Sequence, residues 1–203
     1  MNSILRRAQL DYISTIKLKG SVIDLGAKNS ENIYFDLFDK TQASCFTFAD
    51  YYHTGSNLIK IDFEKKFDVA DKSYDSIIAF NVLEHIYNYQ QFISECYRIA
   101  SPSAELHMLI PFLWKFHEDP YDFHRYTHQS LEKILVDSGW DVISISPTLD
   151  GQFAVFCSLF ERYFPEFLRY YFQNVCLALD KVVNKRRCGK IVFPLGYNVL
   201  AKK

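Results

Sequence analysis

Apolar positions along the chain fall into short runs that close on polar residues. Val22-Ile23 reaches Asp24 and breaks at Gly26; Ala43 to Ala49 is uncharged and ends at Asp50; Asn57 to Phe63 carries Asp62; Ser76 to Phe80 is followed by Asn81. Runs of this length, bounded by turn formers, predict buried strands. Glu105 to Ile110 and Trp140 to Ser146 predict two more, and Tyr197 to Ala201 a seventh. Between them the spacing changes. Ile4, Leu10, Ile13 and Ile16 recur at helical intervals, predicting an amphipathic helix over 3–17 that Gly20 ends. Further helices are expected over 31–38, over 89–99 with Phe92, Ile93, Cys96 and Ile99 on one face, and over 129–137, where Thr127 is the N-cap and Gly139 the stop.

Strands alternating with helices as far as residue 146 predict an α/β fold with a doubly wound sheet. The chain reads as a single domain over 1–203, in which 147–193, rich in Phe and Tyr, is an insertion contributing two helices between strands six and seven. In an open parallel sheet, ligands bind at the carboxyl ends of the strands. Asp24, Asp50, Asp62 and Asn81 all fall there, so the stretch 21–30 reads either as an ordinary turn or as a ligand cradle. In the second reading a helix opening after Gly26 adds backbone donors and partial positive charge, Gly26 lets the main chain approach closely, and Asp24 accepts from an ammonium or hydroxyl group.

Composition narrows the classes. At 203 residues, 49% hydrophobic and 23% charged, the chain has the make-up of a globular protein, and a net charge of −1 argues against nucleic acid as a partner. Five scattered cysteines lack the spacing of zinc ligands or of a disulfide framework, so reduced thiols in the cytoplasm are expected. Charges recur through the first twenty residues, unlike a signal peptide, and the uncharged run Gly151 to Phe160 is too short to span a bilayer.

The ordered segments VIDLGAKNS, FTFAD, IKIDFE, YDSIIAFNVLEHI, FISECYRIASPSAELHMLIPF, HEDPYDFHRYT, LEKILVDSGWDV and PLGYNVLAKK together resemble the class I S-adenosylmethionine-dependent methyltransferases. Within them they are similar to type-11-like proteins associated with polysaccharide or glycolipid biosynthesis. The resemblance implies a Rossmann-like seven-stranded sheet with an antiparallel last strand, and S-adenosylmethionine as cofactor. It also implies that Asp24, Gly26 and Ala27 hold the methionine end, that Asp50 accepts from the ribose hydroxyls, that Asp62 accepts from the adenine amino group with Phe63 beside the ring, and that Asn81 closes the pocket near the sulfonium. Lys28 and Ser30 stand where glycines are the pattern, and Ser101-Pro102-Ser103-Ala104 replaces a Pro-Gly-Gly turn. A degenerate fold retained as a binding or scaffold partner is therefore the alternative function. A nicotinamide-dependent oxidoreductase would need G-x-G-x-x-G, which is missing.

After strand five, the loop His117 to Tyr126 gathers two histidines, three carboxylates and an arginine. Methyl transfer is driven mainly by positioning, and an alcohol acceptor gains from a base; His117 is the candidate base, Asp122 its orienting partner or itself the base, and Arg125 a grip for an acceptor phosphate or carboxylate. The competing reading makes Asp122, Arg125 and Tyr126 a buried network that pins the loop. Glu84 and His85 read as capping and packing residues, with His85 an alternative base, and no metal site is expected. The acceptor is expected to be a small molecule or a glycan, methylated on oxygen. In the insertion, aromatic residues from Phe153 to Phe172 precede Lys181, Lys185, Arg186, Arg187 and Lys190. That stripe fits core packing, a homodimer face, or peripheral contact with an anionic membrane or a lipid-linked substrate.

Overall fold

The computed structural model describes residues 2–27, 32–52, 57–184 and 192–203. Its centre is a seven-stranded sheet of β1 (Lys17–Leu25), β2 (Asp39–Asp50), β3 (Leu58–Lys60), β4 (Tyr74–Phe80), β5 (Ala100–Pro111), β6 (Asp141–Asp150) and β7 (Pro194–Lys202), in the order β3-β2-β1-β4-β5-β7-β6. The first five strands run parallel, and β7 lies antiparallel between β5 and β6. This is the predicted Rossmann-like α/β sheet, and the order reverses between β1 and β4.

Five α-helices complete it: α1 (Ile4–Ile13), α2 (Tyr89–Ile99), α3 (His128–Asp137), α4 (Gln152–Phe160) and α5 (Glu166–Asn184). On α2 the predicted face of Phe92, Ile93, Cys96 and Ile99 is fully buried, and each large apolar side chain so buried contributes about 1.5–3 kcal/mol. Thr127 caps α3 as expected, its hydroxyl accepting from the Ser130 N–H at 3.2 Å. The insertion between β6 and β7 supplies α4 and α5.

Three local expectations are corrected. The first helix ends at Ile13, because Gly20 belongs to β1: its φ is +56°, at a register shift of the strand, and a Cβ there would lie 2.0 Å from the Asp75 carboxylate that accepts from the Ser21 N–H. No α-helix forms over the described part of 31–38. A single 3-10 turn, Phe35–Leu37, stands there, because Tyr34, Phe35 and Phe38 are drawn into an edge-to-face cluster with Phe46 and Phe80 that outweighs local helix preference. The predicted turn at 101–103 is absorbed into β5.

The insertion packs as core on its inner side. Ala154, Cys157 and Cys176 join Ile4, Leu5 and Leu195 in one buried cluster. At its edge the buried Glu161 carboxylate accepts from the Ile4 N–H at 2.9 Å and from the Gln173 side-chain amide at 2.7 Å, while Arg7 donates to Asn174 at 2.9 Å. The insertion thereby seats α1 across the carboxyl end of the sheet. Its outer side exposes Phe156, Phe167, Tyr171 and Val175. Of the basic stretch only Lys181 is described. Among the described residues no helix is long and apolar enough to cross a membrane, and Cys45, Cys96, Cys157 and Cys176 are free thiols.

Candidate active site

Because β1 to β4 run parallel, their tips share one edge, and the reversal of order opens a crevice between β1 and β4. Gly26 turns the chain there with φ +90°, and a Cβ on it would come within 2.6 Å of Val82 Cγ2 in the turn after β4. Only glycine allows the two turns to touch. Ala27 is buried beside them; Lys28 and Ser30 lie outside the described residues. Between Gly26 and β2 no described residue belongs to an α-helix, and the expected helix start falls outside the described residues.

Asp24 is 2% exposed. Its Oδ2 accepts from the Tyr34 hydroxyl at 3.0 Å, whereas Oδ1 is buried with no hydrogen-bond partner. Burial pushes this carboxyl up to about 7, against the opposing pull of the Tyr34 hydrogen bond. An acceptor in that state fits an incoming ammonium donor. Asp50, at the tip of β2, accepts from the Tyr52 N–H at 2.8 Å. Asp62 accepts from the Glu64 N–H at 3.1 Å and pairs with Lys65 at 2.7 Å; the Lys65 hydrogen bond, more than anything else, holds its carboxyl low. Phe63 points inward, packing edge-on against Phe67 and Phe92. It is a core side chain here, and a place beside an adenine ring would need it to turn out. Asn81, at φ +53°, accepts at 2.9 Å from Gln9 on α1.

On the far side of Asn81 a cleft of about 380 Å³ runs beneath α1, lined by Arg6, Gln9, Asn81, His85, His117 and Glu118 among others. Its wall is the loop after β5, stapled to the turn after β4 where the Glu84 carbonyl accepts from the Phe123 and His124 N–H groups at 2.8 and 3.2 Å. Inside the loop Asp122, its side chain 1% exposed, accepts from the His117 N–H at 2.8 Å and from both terminal nitrogens of Arg125. The Arg125 guanidinium holds Asp122 down at about 2. Arg125 also donates to the carbonyls of His124 and Lys115, at 2.8 and 3.3 Å. The acceptor-gripping role expected of Arg125 is thus corrected: both its terminal nitrogens are engaged within the loop, which it braces. Tyr126 joins the pinning, its hydroxyl 3.4 Å from the Leu83 carbonyl.

His117 is likewise not a free base. Its Nδ1 faces the Lys115 carbonyl at 3.2 Å and Asp122 Oδ2 at 3.5 Å, two groups that only accept, so Nδ1 carries hydrogen and Nε2 faces Glu84 at 3.7 Å. The Glu84 carboxylate, ahead of the opposing burial and of Asp122, raises the imidazole above its ordinary value. Nor does Glu84 cap a helix: it is fully buried, and neither carboxylate oxygen has a hydrogen-bond partner. The sequence reading missed its burial, as it missed Gln9, Arg6 and Tyr34. One charged residue inside the apolar run Val82-Leu83-Glu84-His85-Ile86 was the available signal for Glu84.

Residues 25–108 match the family described as a methyltransferase domain. The chain is similar in structure to an S-adenosylmethionine-dependent methyltransferase from Mesorhizobium loti, with 12% identity over 98% of both chains and a TM-score of 0.61. An S-adenosylmethionine-dependent methyltransferase from Archaeoglobus fulgidus matches at 18% identity, covering 98% of this chain and 93% of that one, with a TM-score of 0.60. The 1,6-didemethyltoxoflavin-N1-methyltransferase of Burkholderia thailandensis, solved with 1,6-didemethyltoxoflavin and S-adenosylhomocysteine, matches at 11% identity over 98% of this chain and 78% of that one, with a TM-score of 0.56. At these identities the likeness is one of fold. No curated protein matches the sequence.

Proposed function

We propose that this chain, which carries a methyltransferase domain and takes S-adenosylmethionine as its cofactor, methylates a hydroxyl oxygen of a small-molecule or glycan-type acceptor seated in the cleft beneath α1. The observation that carries the reading is the buried, unpartnered Oδ1 of Asp24, set at the tip of β1 beside the glycine turn where the sheet order reverses. The bound cofactor supplies an electrophilic methyl group on a sulfonium. Asp24 accepts the ammonium and gives up its proton as it does so, because a donor at Oδ1 offsets the burial that keeps the carboxyl neutral. Gly26 and Ala27 leave room for the methionine end. Asp50 accepts from two ribose hydroxyls, and Asp62 takes the adenine amino group in exchange for its exposed pair with Lys65, a small loss. Asn81 and Gln9 form the boundary between cofactor and cleft. A glycan acceptor is supported by the imidazole, carboxamide and carboxylate groups among the cleft's lining, which suit several hydroxyls.

Calorimetric titration with S-adenosylhomocysteine tests the reading. Binding at micromolar levels that Asp50→Ala weakens is the expected result; folded protein that takes up no cofactor at millimolar concentration would instead favour a scaffold role.

A further inference from the structure

We propose that Glu84, His85 and His117 form a binding site for one divalent transition-metal ion of the zinc type on the wall of the cleft. Nε2 of His85 and Nε2 of His117 each stand 3.7 Å from Oε1 of Glu84, and the three ligand atoms lie within 4.8 Å of one another. Around a tetrahedral zinc with bonds of 2.0–2.1 Å, ligand atoms sit about 3.3 Å apart, so each contact to Glu84 closes with a few tenths of an ångström of movement and the two imidazoles, within 4.8 Å of one another, close with at most about 1.5 Å. At 3.7 Å neither contact is a hydrogen bond.

Two further features point to a cation. Glu84 is fully buried and both its oxygens lack a hydrogen-bond partner, a costly state for a carboxylate. The two imidazoles are also oriented as ligands: Nδ1 of His85 lies 2.5 Å from the Tyr121 carbonyl and Nδ1 of His117 lies 3.2 Å from the Lys115 carbonyl. Carbonyls only accept, so both rings carry hydrogen on Nδ1 when neutral and turn the Nε2 lone pair toward Glu84. An outer carbonyl that fixes the tautomer is the usual support of a metal-bound histidine. Two imidazoles and one carboxylate suit zinc and its neighbours and leave coordination positions open, as in catalytic sites.

The role, though not the site, rests on the methyl-transfer reading above. His85 and His117 line the cleft, so an open position can take the acceptor's hydroxyl oxygen. The cation lowers the pKa of that hydroxyl and its proton passes to water. A lone pair of the oxygen then forms the O–CH3 bond as the S–CH3 bond breaks, with the bonding pair returning to sulfur; the products are a methyl ether, S-adenosylhomocysteine and one proton.

The test uses untagged full-length protein, stripped with a chelator and titrated with zinc by calorimetry and with cobalt(II) by visible absorption. One saturable equivalent, with ligand-field bands of a low-symmetry site, is expected. His85→Ala and His117→Ala should each weaken it by more than the ~10–100-fold typical of losing an outer-shell partner, and Glu84→Gln, which keeps the shape of the buried side chain, should do the same. Circular dichroism and thermal melting, measured on every variant, report folding, and S-adenosylhomocysteine binding separately reports the functional reading. Folded, cofactor-binding protein without a saturable metal site overturns the inference and leaves the methyltransferase reading standing, as does a site unmoved by all three substitutions. Metal binding lost in the variants while no protein binds cofactor supports the site and removes the reading of function.

Discussion

Replacing Asp24 with asparagine separates what this side chain does for stability from what it does for binding. Its carboxyl, ordinarily near 3.8, stands at about 7 in the folded chain because burial disfavours the charge. Below about pH 4 the folded and unfolded chains both hold the proton. Between about 4 and about 7 only the folded chain does, so stability falls as the pH rises through that window and levels off above it. At about 1.4 kcal/mol per pH unit, the full loss is at most about 4 kcal/mol. Asp24→Asn keeps an oxygen for the Tyr34 hydroxyl and has no charge to bury, so its stability relative to wild type should gain about 2–3 kcal/mol between pH 5 and pH 8. Urea unfolding at the two pH values reads this directly. In binding the sign reverses: S-adenosylhomocysteine should bind wild type with release of a proton near neutral pH, and Asp24→Asn should release none and bind about 10–100-fold more weakly, the loss of a charged acceptor. A relative stability that stays flat or falls from pH 5 to pH 8 would refute the reasoning, since Asp24 would then be ionised without penalty.

Other consequences can be checked in parallel. Asp50→Ala should weaken S-adenosylhomocysteine binding by about 2–4 kcal/mol, one or two charge-assisted hydrogen bonds, with the unfolding midpoint little changed; equal affinity by calorimetry would exclude Asp50 from the ribose site. Gly26→Ala places a methyl 2.6 Å from Val82 at φ +90°, so thermal melting should show a loss of about 1–3 kcal/mol, and cofactor binding should fall with it even where the protein remains folded. Arg125→Ala leaves the Asp122 carboxylate inside the loop without its cation, at a cost of about 2 kcal/mol, moderated because Arg125 is partly exposed. Since Asp122 is held low, that cost is present above pH 4 and shrinks as the pH falls toward about 2; a penalty that grows in acid would contradict the pairing.

Where one segment carries its own periodicity, sequence and structure agree. The bounds of α2, the cap at Thr127 and the strand leading to Asn81 are set within a dozen residues each, and burial follows the pattern. Glu31 to Phe38 shows the limit of that reasoning. Its aromatic spacing suits a helix face, but the rings find partners on β2 and β4 that no local window contains. Gly20 reads as a helix stop because the close approach of Asp75, 55 residues on, is invisible at that distance in sequence. The acids at the strand tips were legible for the reason the fold was: each falls within two residues of the end of its own strand. Glu84, His85 and His117 were not, because 32 residues separate the second histidine from the first, and it is the loop's attachment to the Glu84 carbonyl that brings them together. Tyr34 on Asp24 and Gln9 on Asn81 were hidden in the same way.

The seat of α1 has a consequence for how the protein is made. The group that receives the Ile4 N–H lies 157 residues further along, and the Gln173 amide that bridges Glu161 to the Asn2 carbonyl comes later still. On the ribosome, the roof of the cleft therefore emerges before the segments that seat it and waits for them while strands β1 to β6 are added beneath it. A pause in translation before residue 173 leaves the Ile4 and Leu5 end of this amphipathic helix without the whole of the cluster that buries it. In that interval the nascent chain is most open to chaperones.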